Sequence, residues 1–330
     1  MPGETNPIVP EEYLRERYFE HKVDSRADEI ISMVGKEASQ PIKYTHELWF
    51  SKAKTMLPFL LSTSLGIEEV NTIDVAATID ILWTLSVVVD DIIDADEMRR
   101  AKPAAWKIYG KESTYSSAEK CLRATLGHVA KTISPEAAIK CKESVEAGMR
   151  SIEEHKNFGF ECTREELEQN YIKRDAFFSE APMSMLATIY PDKESKLRSA
   201  GIALETYYLG GQIGNDLDDL FGGAGRTKRF SDVKSGLVTI PLRLMWSDME
   251  ELDREKFMMV FGKGELSVQD EVMIDSLLEK YRVFEKSMDL IKEKYSQASE
   301  TMGNFLDEKQ NSVFNTLCAK QLEKFQGYKS

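Results

Sequence analysis

The sequence predicts an all-α protein. Its 330 residues include only 10 prolines and 19 glycines, which is few for a sheet-rich chain that must turn roughly every 8–12 residues. Helix-start signals recur along the chain, and long apolar stretches are typical of buried helices. Hydrophobic residues make up 42% of the chain, enough for a sizeable core. We expect one domain over residues 1–330, with about the first ten residues disordered.

The helices can be placed in chain order. One runs from about Ile73 through VAATIDILWTLSVVVDDIIDADE and is apolar on nearly all sides, which predicts a central, buried helix. Ser-Pro-Glu at 134–136 supplies an N-cap, a first-turn proline and an acid for the next helix. A capping box at 163–166 begins a helix that continues through YIKRDAFF. A long helix runs from about Asp192 to the glycines at 222–223.

The charge and the cysteines disfavour several functions. The chain has 43 Lys and Arg against 56 Asp and Glu, a net charge of −13, which argues against binding nucleic acid through a basic face. No stretch approaches the roughly 18 uncharged apolar residues of a membrane span, and the N-terminus does not read as a signal or transit peptide. The four cysteines and four histidines lack zinc or disulfide spacing. We expect a cytoplasmic protein with reduced thiols.

Two acidic clusters indicate the chemistry, and the first lies in VVVDDIIDADEMRR. On a helix, Asp90 and Asp94 project from one face, and Asp91 points about 100° away. Five acids within eight residues repel one another unless a cation is present. The surrounding valines and isoleucines favour a helix end drawn into the protein rather than a solvated one.

The second cluster, GGQIGNDLDDLFGG, has the same organisation. Asn215 and Asp219 share one helical face, and Gln212 and Asp216 form a second such pair. Oxygen ligands of this kind suit Mg²⁺ shared with substrate phosphates. The predicted metal ligands are Asp90, Asp91, Asp94, Asn215, Asp216 and Asp219, and of these Asp90, Asp94, Asn215 and Asp219 are the predicted catalytic residues.

Basic residues follow both clusters. Arg99 and Arg100 come after the first, and Arg226, Lys228 and Arg229 come after the second. Carboxylates, bound metal and neighbouring cations together make a site for a diphosphate. We therefore expect Arg99, Arg100 and Lys228 to bind one.

At these residues the sequence resembles the trans-isoprenyl diphosphate synthase and class I terpene synthase superfamily. DDIIDADEMRR matches its first motif, and NDLDD, preceded by Gln212, is similar to its second, with Asn215 at an aspartate position. The lysine of YIKRDAFF, Lys173, stands where the resemblance implies a diphosphate ligand. We expect Gln212 to be a further diphosphate ligand. The likeness spans roughly residues 40–245. It implies a helical bundle around a deep apolar pocket, a prenyl diphosphate substrate, three Mg²⁺ ions that Mn²⁺ can replace, and a homodimer.

Departures from the resemblance bear on the reaction. Chain-elongating members hold the acceptor diphosphate with a lysine, two arginines and a histidine or glutamine. Here KAKTMLPFL keeps Lys54, but Thr55 and Leu57 stand at the arginine positions and Trp83 at the histidine position. We therefore expect a class I terpene synthase, a carbon–oxygen lyase that converts a C15 or C20 prenyl diphosphate to a cyclic or rearranged terpene. The alternatives are a trans-prenyltransferase that makes polyprenyl or irregular prenyl diphosphates, and a non-catalytic synthase subunit.

The substrate pocket is predicted along the first long helix. Leu85 and Ser86 precede Asp90 by five and four residues, and we expect them to set substrate length. The alternative for Ser86 is a hydrogen bond to a carbonyl of its own helix. Aromatic faces should shield a carbocation, with plain core packing as the alternative for each. These aromatic candidates are Trp83, Phe177, Phe178 and Tyr208.

Overall fold

The structure, a computed structural model, describes residues 22–48, 53–93, 95–222 and 229–329. Within these ranges the chain forms sixteen α-helices, two 3-10 segments and one small hairpin. The all-α prediction is confirmed. The disorder expected for about the first ten residues concerns a segment that lies outside the described residues.

The two longest helices of the described residues are Glu69–Ile93, with 25 residues, and Glu194–Phe221, with 28. The hairpin strands are β1 Met98–Arg99 and β2 Lys102–Pro103, and the 3-10 segments are Pro191–Lys193 and Gly327–Lys329. The helices are α1 Val23–Ser32, α2 Lys36–Glu47, α3 Ala53–Ser64, α4 Glu69–Ile93, α5 Ala105–Tyr109, α6 Lys111–Thr132, α7 Pro135–His155, α8 Arg164–Arg174, α9 Ala176–Ala187, α10 Glu194–Phe221, α11 Ser231–Ser235, α12 Ile240–Asp248, α13 Glu251–Met258, α14 Val268–Lys280, α15 Val283–Met302 and α16 Glu308–Gln326.

The helices group into two compact units by their internal contacts. The first unit takes its residues from 1–145, 177–204 and 303–313, and the second from 146–176, 205–302 and 314–330. The chain passes between them repeatedly, so neither unit is a continuous segment. The single-domain expectation stays a prediction.

α4 is the predicted buried helix. It begins at Glu69, four residues before the expected start at Ile73, and 16 of its 25 residues are buried. Among the described residues it is the one helix long and apolar enough to cross a membrane, and 78% of that apolar window lies inside the protein. A core helix of a soluble protein has the same character.

Two acids inside α4 are paired by side chains from neighbouring helices. His46 Nε2 of α2 lies 2.6 Å from Asp80 Oδ2. At Asp74, His128 Nε2 lies 3.1 Å from Oδ1 and the Arg26 Nε lies 3.2 Å from the same oxygen. Buried carboxylates require such partners, because an unpaired charge is costly away from water. The pairs therefore connect α1, α2 and α6 to the central helix.

The predicted helix starts are confirmed. Ser134 Oγ accepts the N–H of Ala137 at 3.0 Å, and α7 begins at Pro135. Thr163 and Glu166 form the reciprocal capping box that begins α8. The predicted helix through YIKRDAFF, however, is divided into α8 and α9. Asp175 stands between them with φ of −98° and ψ of 9°, and its side chain accepts a hydrogen bond from Gln212.

Glycines allow α10 to lie close to aromatic rings. A Cβ at Gly210 would stand 2.7 Å from the ring of Tyr295, and one at Gly214 would overlap the ring of Phe325. Gly222 then ends the helix with φ of 73°, as the sequence predicted. The C-terminal half of α10 is therefore held tightly against α15 and α16.

The four cysteines are free and buried. Burial raises the pKa of the Cys121, Cys141 and Cys318 thiols to about 12. The thiolate is the reactive form, and a pKa this high keeps the thiols protonated. These three side chains are therefore unreactive and pack as small apolar groups.

Candidate active site

The first acidic cluster stands at the C-terminal end of α4. Asp90 is exposed, whereas Asp91 is only 2% exposed, because consecutive helical residues point about 100° apart. Asp94 lies outside the described residues, so its place beside Asp90 stays a prediction. This helix end presents one carboxylate to solvent and turns the next into the protein.

Arg99 holds the buried carboxylate of Asp91. Its Nε donates to Asp91 Oδ1 at 2.9 Å, and its Nη2 donates to the same oxygen. Burial raises the pKa of Asp91, and the guanidinium opposes that rise. Burial also acts to lower the pKa of Arg99, but the bond to Asp91 leaves it above its ordinary value. The predicted diphosphate ligand Arg99 is therefore an ion-pair partner within the motif itself.

A two-residue turn places Arg99 beside Asp91. β1 and β2 pair antiparallel, with Met98 opposite Pro103. The turn residues Arg100 and Ala101 have φ of 50° and 61°, the geometry of the turns that match strand twist in short hairpins. Such φ values at residues with a side chain cost about 1 kcal/mol or more each. The chain accepts this strain where it returns an arginine to the end of α4.

In the second cluster a tyrosine holds Asp216. Tyr171 Oη donates to Asp216 Oδ2 at 2.7 Å, and the two residues are 1% and 8% exposed. Burial, and then the charge of Asp216, raise the pKa of Tyr171 well above its ordinary value, so the phenol remains a donor. The ring of His155 packs edge-on against Tyr171, with centroids 5.4 Å apart, and its Nε2 lies 2.8 Å from the carbonyl oxygen of Val238.

Asp219 anchors the segment that follows this cluster. Its Oδ1 accepts the N–H of Ser231 at 3.0 Å and its Oδ2 that of Asp232 at 3.1 Å. The backbone oxygen of Asp219 accepts the N–H of Phe230 at 3.0 Å. A carboxylate oxygen has two lone pairs, so metal binding remains open to it. The predicted ligand Lys228 lies outside the described residues.

Asn215 belongs to a short chain of hydrogen bonds. Its Nδ2 donates to Gln212 Oε1 at 3.2 Å, and Gln212 Nε2 donates to Asp175 Oδ2 at 2.7 Å. Asn215 is exposed, Gln212 is half-buried and Asp175 is 7% exposed. The first position of the second motif is thereby connected to the junction between α8 and α9.

The end of α8 brings a cation to these residues. The Arg174 guanidinium carbon lies 4.6 Å from the ring centroid of Tyr171, and its Nε lies 3.9 Å from Asp175 Oδ1. Lys173, which the resemblance indicated, is exposed. Sequence reasoning missed Tyr171, Arg174 and Asp175. Helical period groups these residues at the end of α8, because residues three or four apart are neighbours there, but it does not connect them to the second cluster.

The predicted pocket residues divide between the two units. In the first unit, the ring centroids of Trp83 and Phe178 are 4.4 Å apart, and those of Phe177 and Phe178 are 3.9 Å apart. We call these three residues the aromatic group. Tyr208 lies in the second unit, 3% exposed, with its ring centroid 5.4 Å from that of Tyr207.

Near the aromatic group, Leu85 is 6% exposed. Ser86 Oγ donates to the carbonyl oxygen of Trp83 at 2.8 Å. This is the alternative that the sequence left open for the hydroxyl, and it turns that group toward its own helix.

The donor atoms of the two clusters suit a hard divalent cation, because they are carboxylate and amide oxygens. The described residues also contain one histidine–carboxylate group compact enough for a metal ion: Asp24, His46 and Asp80, with ligand atoms within 4.8 Å of one another. Asp80 precedes Asp90 by ten residues, about 15 Å along α4. The histidine-containing group is thus distinct from the first acidic cluster.

Solved structures with the same fold are prenyl synthases by name. A geranylgeranyl pyrophosphate synthetase from Pyrococcus horikoshii aligns with a TM-score of 0.76 and 21% identity, over 94% of this chain and 99% of its own. A decaprenyl diphosphate synthase from Rhodobacter capsulatus aligns at 0.79 and 16%, over 95% and 99%. A polyprenyl synthase from Caulobacter crescentus, complexed with calcium and isoprenyl diphosphate, aligns at 0.78 and 16%, over 97% and 99%. Comparison with curated protein sequences finds no match.

The family corrects the expected activity. The model of a family described as polyprenyl synthetase matches residues 37–277, so the expected terpene synthase, a carbon–oxygen lyase, is wrong. That expectation depended on Leu57 and Trp83 standing where elongating relatives carry donors. Leu57 is indeed 1% exposed in α3 and cannot donate, but losing those donors does not decide the reaction, because other cations can hold a diphosphate. The chain belongs to the polyprenyl synthetase family.

Proposed function

We propose that the protein is a trans-prenyltransferase that joins an allylic prenyl diphosphate to isopentenyl diphosphate. The family match over residues 37–277 carries this proposal, because that range includes both acidic clusters and the aromatic group. Within it, the first motif is complete in sequence from Asp90 to Arg100.

The proposed reaction breaks the bond between C1 and oxygen of the allylic substrate, and the bonding electrons leave with diphosphate. The double bond of isopentenyl diphosphate attacks the allylic cation and forms the new carbon–carbon bond. Loss of a proton restores a double bond. The products are a longer prenyl diphosphate, diphosphate and a proton, so the protein must bind the leaving group, shield a cation and hold an acceptor.

Residues of both clusters are proposed to hold Mg²⁺, and Mn²⁺ to substitute for it. When bound, the ions neutralise the diphosphate and make it a better leaving group. The resemblance implies three ions. Among the predicted ligands that the structure describes, Asp90 and Asn215 are exposed, whereas Asp91, Asp216 and Asp219 are buried. We therefore expect substitution of Asp90 or Asn215 to weaken metal binding more than substitution of a buried ligand.

The cations around the clusters are proposed to bind the diphosphates. Two of them, Arg99 and Arg174, are half-buried, and each lies beside a carboxylate. Guanidinium groups suit this task because they donate two hydrogen bonds in one plane. The proposed cations are Arg99, Arg100, Lys173, Arg174 and Lys228, and the amide of Gln212 is proposed as a further, neutral ligand of a diphosphate.

The aromatic group is proposed to shield the allylic cation. Trp83 precedes Asp90 by seven residues on α4, so the two share nearly one direction about 10 Å apart along the axis. An aromatic face attracts a cation without a lone pair that would trap it. Leu85 and Ser86 stand between these levels, and we propose that they limit chain length, with a C15 or C20 allylic chain as the longest accepted.

We further propose a cytoplasmic homodimer. The buried character of α4 supports a protein without a membrane span, and the family resemblance supports the dimer.

The test is to incubate the purified protein with Mg²⁺, labelled isopentenyl diphosphate and C5, C10, C15 or C20 allylic diphosphates in turn. We expect label in a longer prenyl diphosphate, with the C15 or C20 partner as the longest accepted. An Asp90→Ala variant controls for contaminating synthase. Absence of label from every prenyl product would overturn the proposal.

A further inference from the structure

Hydrogen bonds through Gln212 connect the carboxylate of Asp175, at the C-terminal end of α8, to Asn215 of the second cluster. Asp175 Oδ2 accepts from Gln212 Nε2, and Gln212 Oε1 accepts from Asn215 Nδ2. The side chain of Asp175 is 10% exposed, and Arg174 lies 3.9 Å away. The three residues therefore form a directed path from a buried carboxylate to an exposed amide.

Hydrogen-bond chemistry sets the direction of that path. A carboxylate only accepts, so Asp175 requires the NH₂ group of Gln212 to face it. The carbonyl oxygen of Gln212 then faces Asn215, which must present its own NH₂ group. The remaining atom of the Asn215 amide, Oδ1, is thereby directed away from Gln212. Only that oxygen can bind a cation, because an amide NH₂ group has no lone pair to offer.

We propose that Asp175 is a positioning residue of the second cluster, which orients the Asn215 amide through Gln212 so that Oδ1 faces the metal. An amide side chain can take two orientations, and only one of them presents its oxygen to a cation. A carboxylate at position 215 would have no such orientation to choose. The inference rests on the proposed function for the metal, whereas the orientation follows from the hydrogen bonds alone.

The same chemistry makes positions 175 and 215 interdependent. With aspartate at both, Gln212 has to satisfy two acceptors with one NH₂ group, and its own oxygen then faces a carboxylate. With asparagine at both, no carboxylate fixes the direction of the three amides at 175, 212 and 215. Exchanging the residues, with asparagine at 175 and aspartate at 215, restores one donor for each acceptor and keeps the net charge unchanged.

The experiment compares four proteins: the parent, Asp175→Asn, Asn215→Asp and the double variant. Mn²⁺ affinity is measured by electron paramagnetic resonance with inorganic diphosphate present, alongside thermal melting and prenyl transfer. We expect Asp175→Asn alone to bind Mn²⁺ about 10-fold more weakly, the size typical of losing a group that orients a ligand. Added to Asn215→Asp, the same substitution should change Mn²⁺ affinity by less than about 3-fold, because a carboxylate at position 215 has no orientation to lose. Glu165→Gln, which removes an exposed carboxylate from α8, should change nothing.

An equal loss of about 10-fold from Asp175→Asn in the Asn215→Asp background would overturn the relay, since a merely structural role for Asp175 does not depend on the residue at position 215. Should Asp175→Asn fail to fold, Gln212→Met tests the same point, because it removes both hydrogen bonds with a side chain of similar size. Full Mn²⁺ affinity in Gln212→Met would likewise contradict the inference. If Mn²⁺ affinity depends on positions 175 and 215 as expected but the parent transfers no prenyl group, the proposed function is disproved and the relay stands.

Discussion

The two acidic clusters are stabilised in different ways. In the first, Asp91 pairs with Arg99, eight residues further along the chain, so a carboxylate is neutralised by a charge. In the second, Asp216 bonds to the phenol of Tyr171, 45 residues earlier, and Asp219 bonds to backbone N–H groups. Neutral donors satisfy these carboxylates without removing their charge.

This difference bears on metal binding. A cluster whose acids keep their charge attracts a cation more strongly than one in which an arginine already offsets an acid. Neutral donors instead fix the direction of each oxygen. We therefore expect the first cluster to depend on its exposed carboxylate, and the second to depend on the groups that orient it.

The largest effect should follow from Asp90→Ala. Removing an exposed oxygen donor of the first cluster should lower the rate of prenyl transfer by on the order of 100-fold or more, as for the loss of a preorganised electrostatic group. Asn215→Ala should have an effect of the same order. Steady-state assays across Mg²⁺ concentrations measure both.

Glu97→Ala is the matched control for Asp90. Glu97 is an exposed acid in the same run, and it pairs with Lys107 at 2.8 Å, so it should change turnover less than 2-fold, as exposed ion pairs contribute little. Full turnover by Asp90→Ala, or full activity of the parent in EDTA, would falsify the metal assignment.

Tyr171→Phe should produce the next largest effect. The change leaves the buried Asp216 carboxylate without its phenol, so we expect Mn²⁺ affinity to fall about 10-fold or more and the free energy of unfolding to fall by about 1–3 kcal/mol. Electron paramagnetic resonance and urea unfolding measure the two quantities.

Tyr281→Phe separates orientation from stability. Tyr281 Oη donates to Asp253 Oδ2 at 2.8 Å, a similar phenol–carboxylate bond elsewhere in the second unit. It should lower stability and leave Mn²⁺ affinity unchanged. Equal Mn²⁺ losses in both variants would mean that Tyr171 acts through folding alone.

The same contrast explains what the sequence could predict. The first cluster was found with its arginine because both fall within one short motif, where spacing is informative. Tyr171 and Asp175 were missed because the residues they support lie 45 and 37 residues away, and no local pattern joins them. The activity was misjudged for a related reason. The absence of cationic side chains at Leu57 and Trp83 is visible in sequence, but a cation that a distant segment could contribute is not.

Arg99→Lys should have a smaller effect than Tyr171→Phe. Lysine keeps the charge beside Asp91 but lacks the planar, fixed pair of N–H groups with which Arg99 bonds it, so we expect a loss of about 1 kcal/mol in unfolding free energy. Arg123→Lys is the control, because Arg123 is an exposed residue of α6. A loss at Arg99 no larger than this control would remove the distinction between a charge-balanced and a neutral-donor cluster.

The smallest expected effect concerns His155, which packs on Tyr171 and is 3% exposed. Burial lowers its pKa, and Arg174 adds to the effect, although the bond to Val238 opposes it. The unfolded chain therefore binds a proton at higher pH than the folded protein does, so stability is complete above about pH 6.5 and declines as pH falls toward the folded-state pKa. At pH 6 the resulting loss of stability is at most about 0.8 kcal/mol, from the ordinary pKa of about 6.5.

Urea unfolding of the parent and of His155→Gln between pH 5 and 8 measures this loss of stability. His155→Gln can still donate to the Val238 carbonyl but does not titrate, so its stability should fall less below pH 6.5. If the unfolding free energy of the two proteins changed with pH in parallel, protonation of His155 would not affect stability around the second cluster.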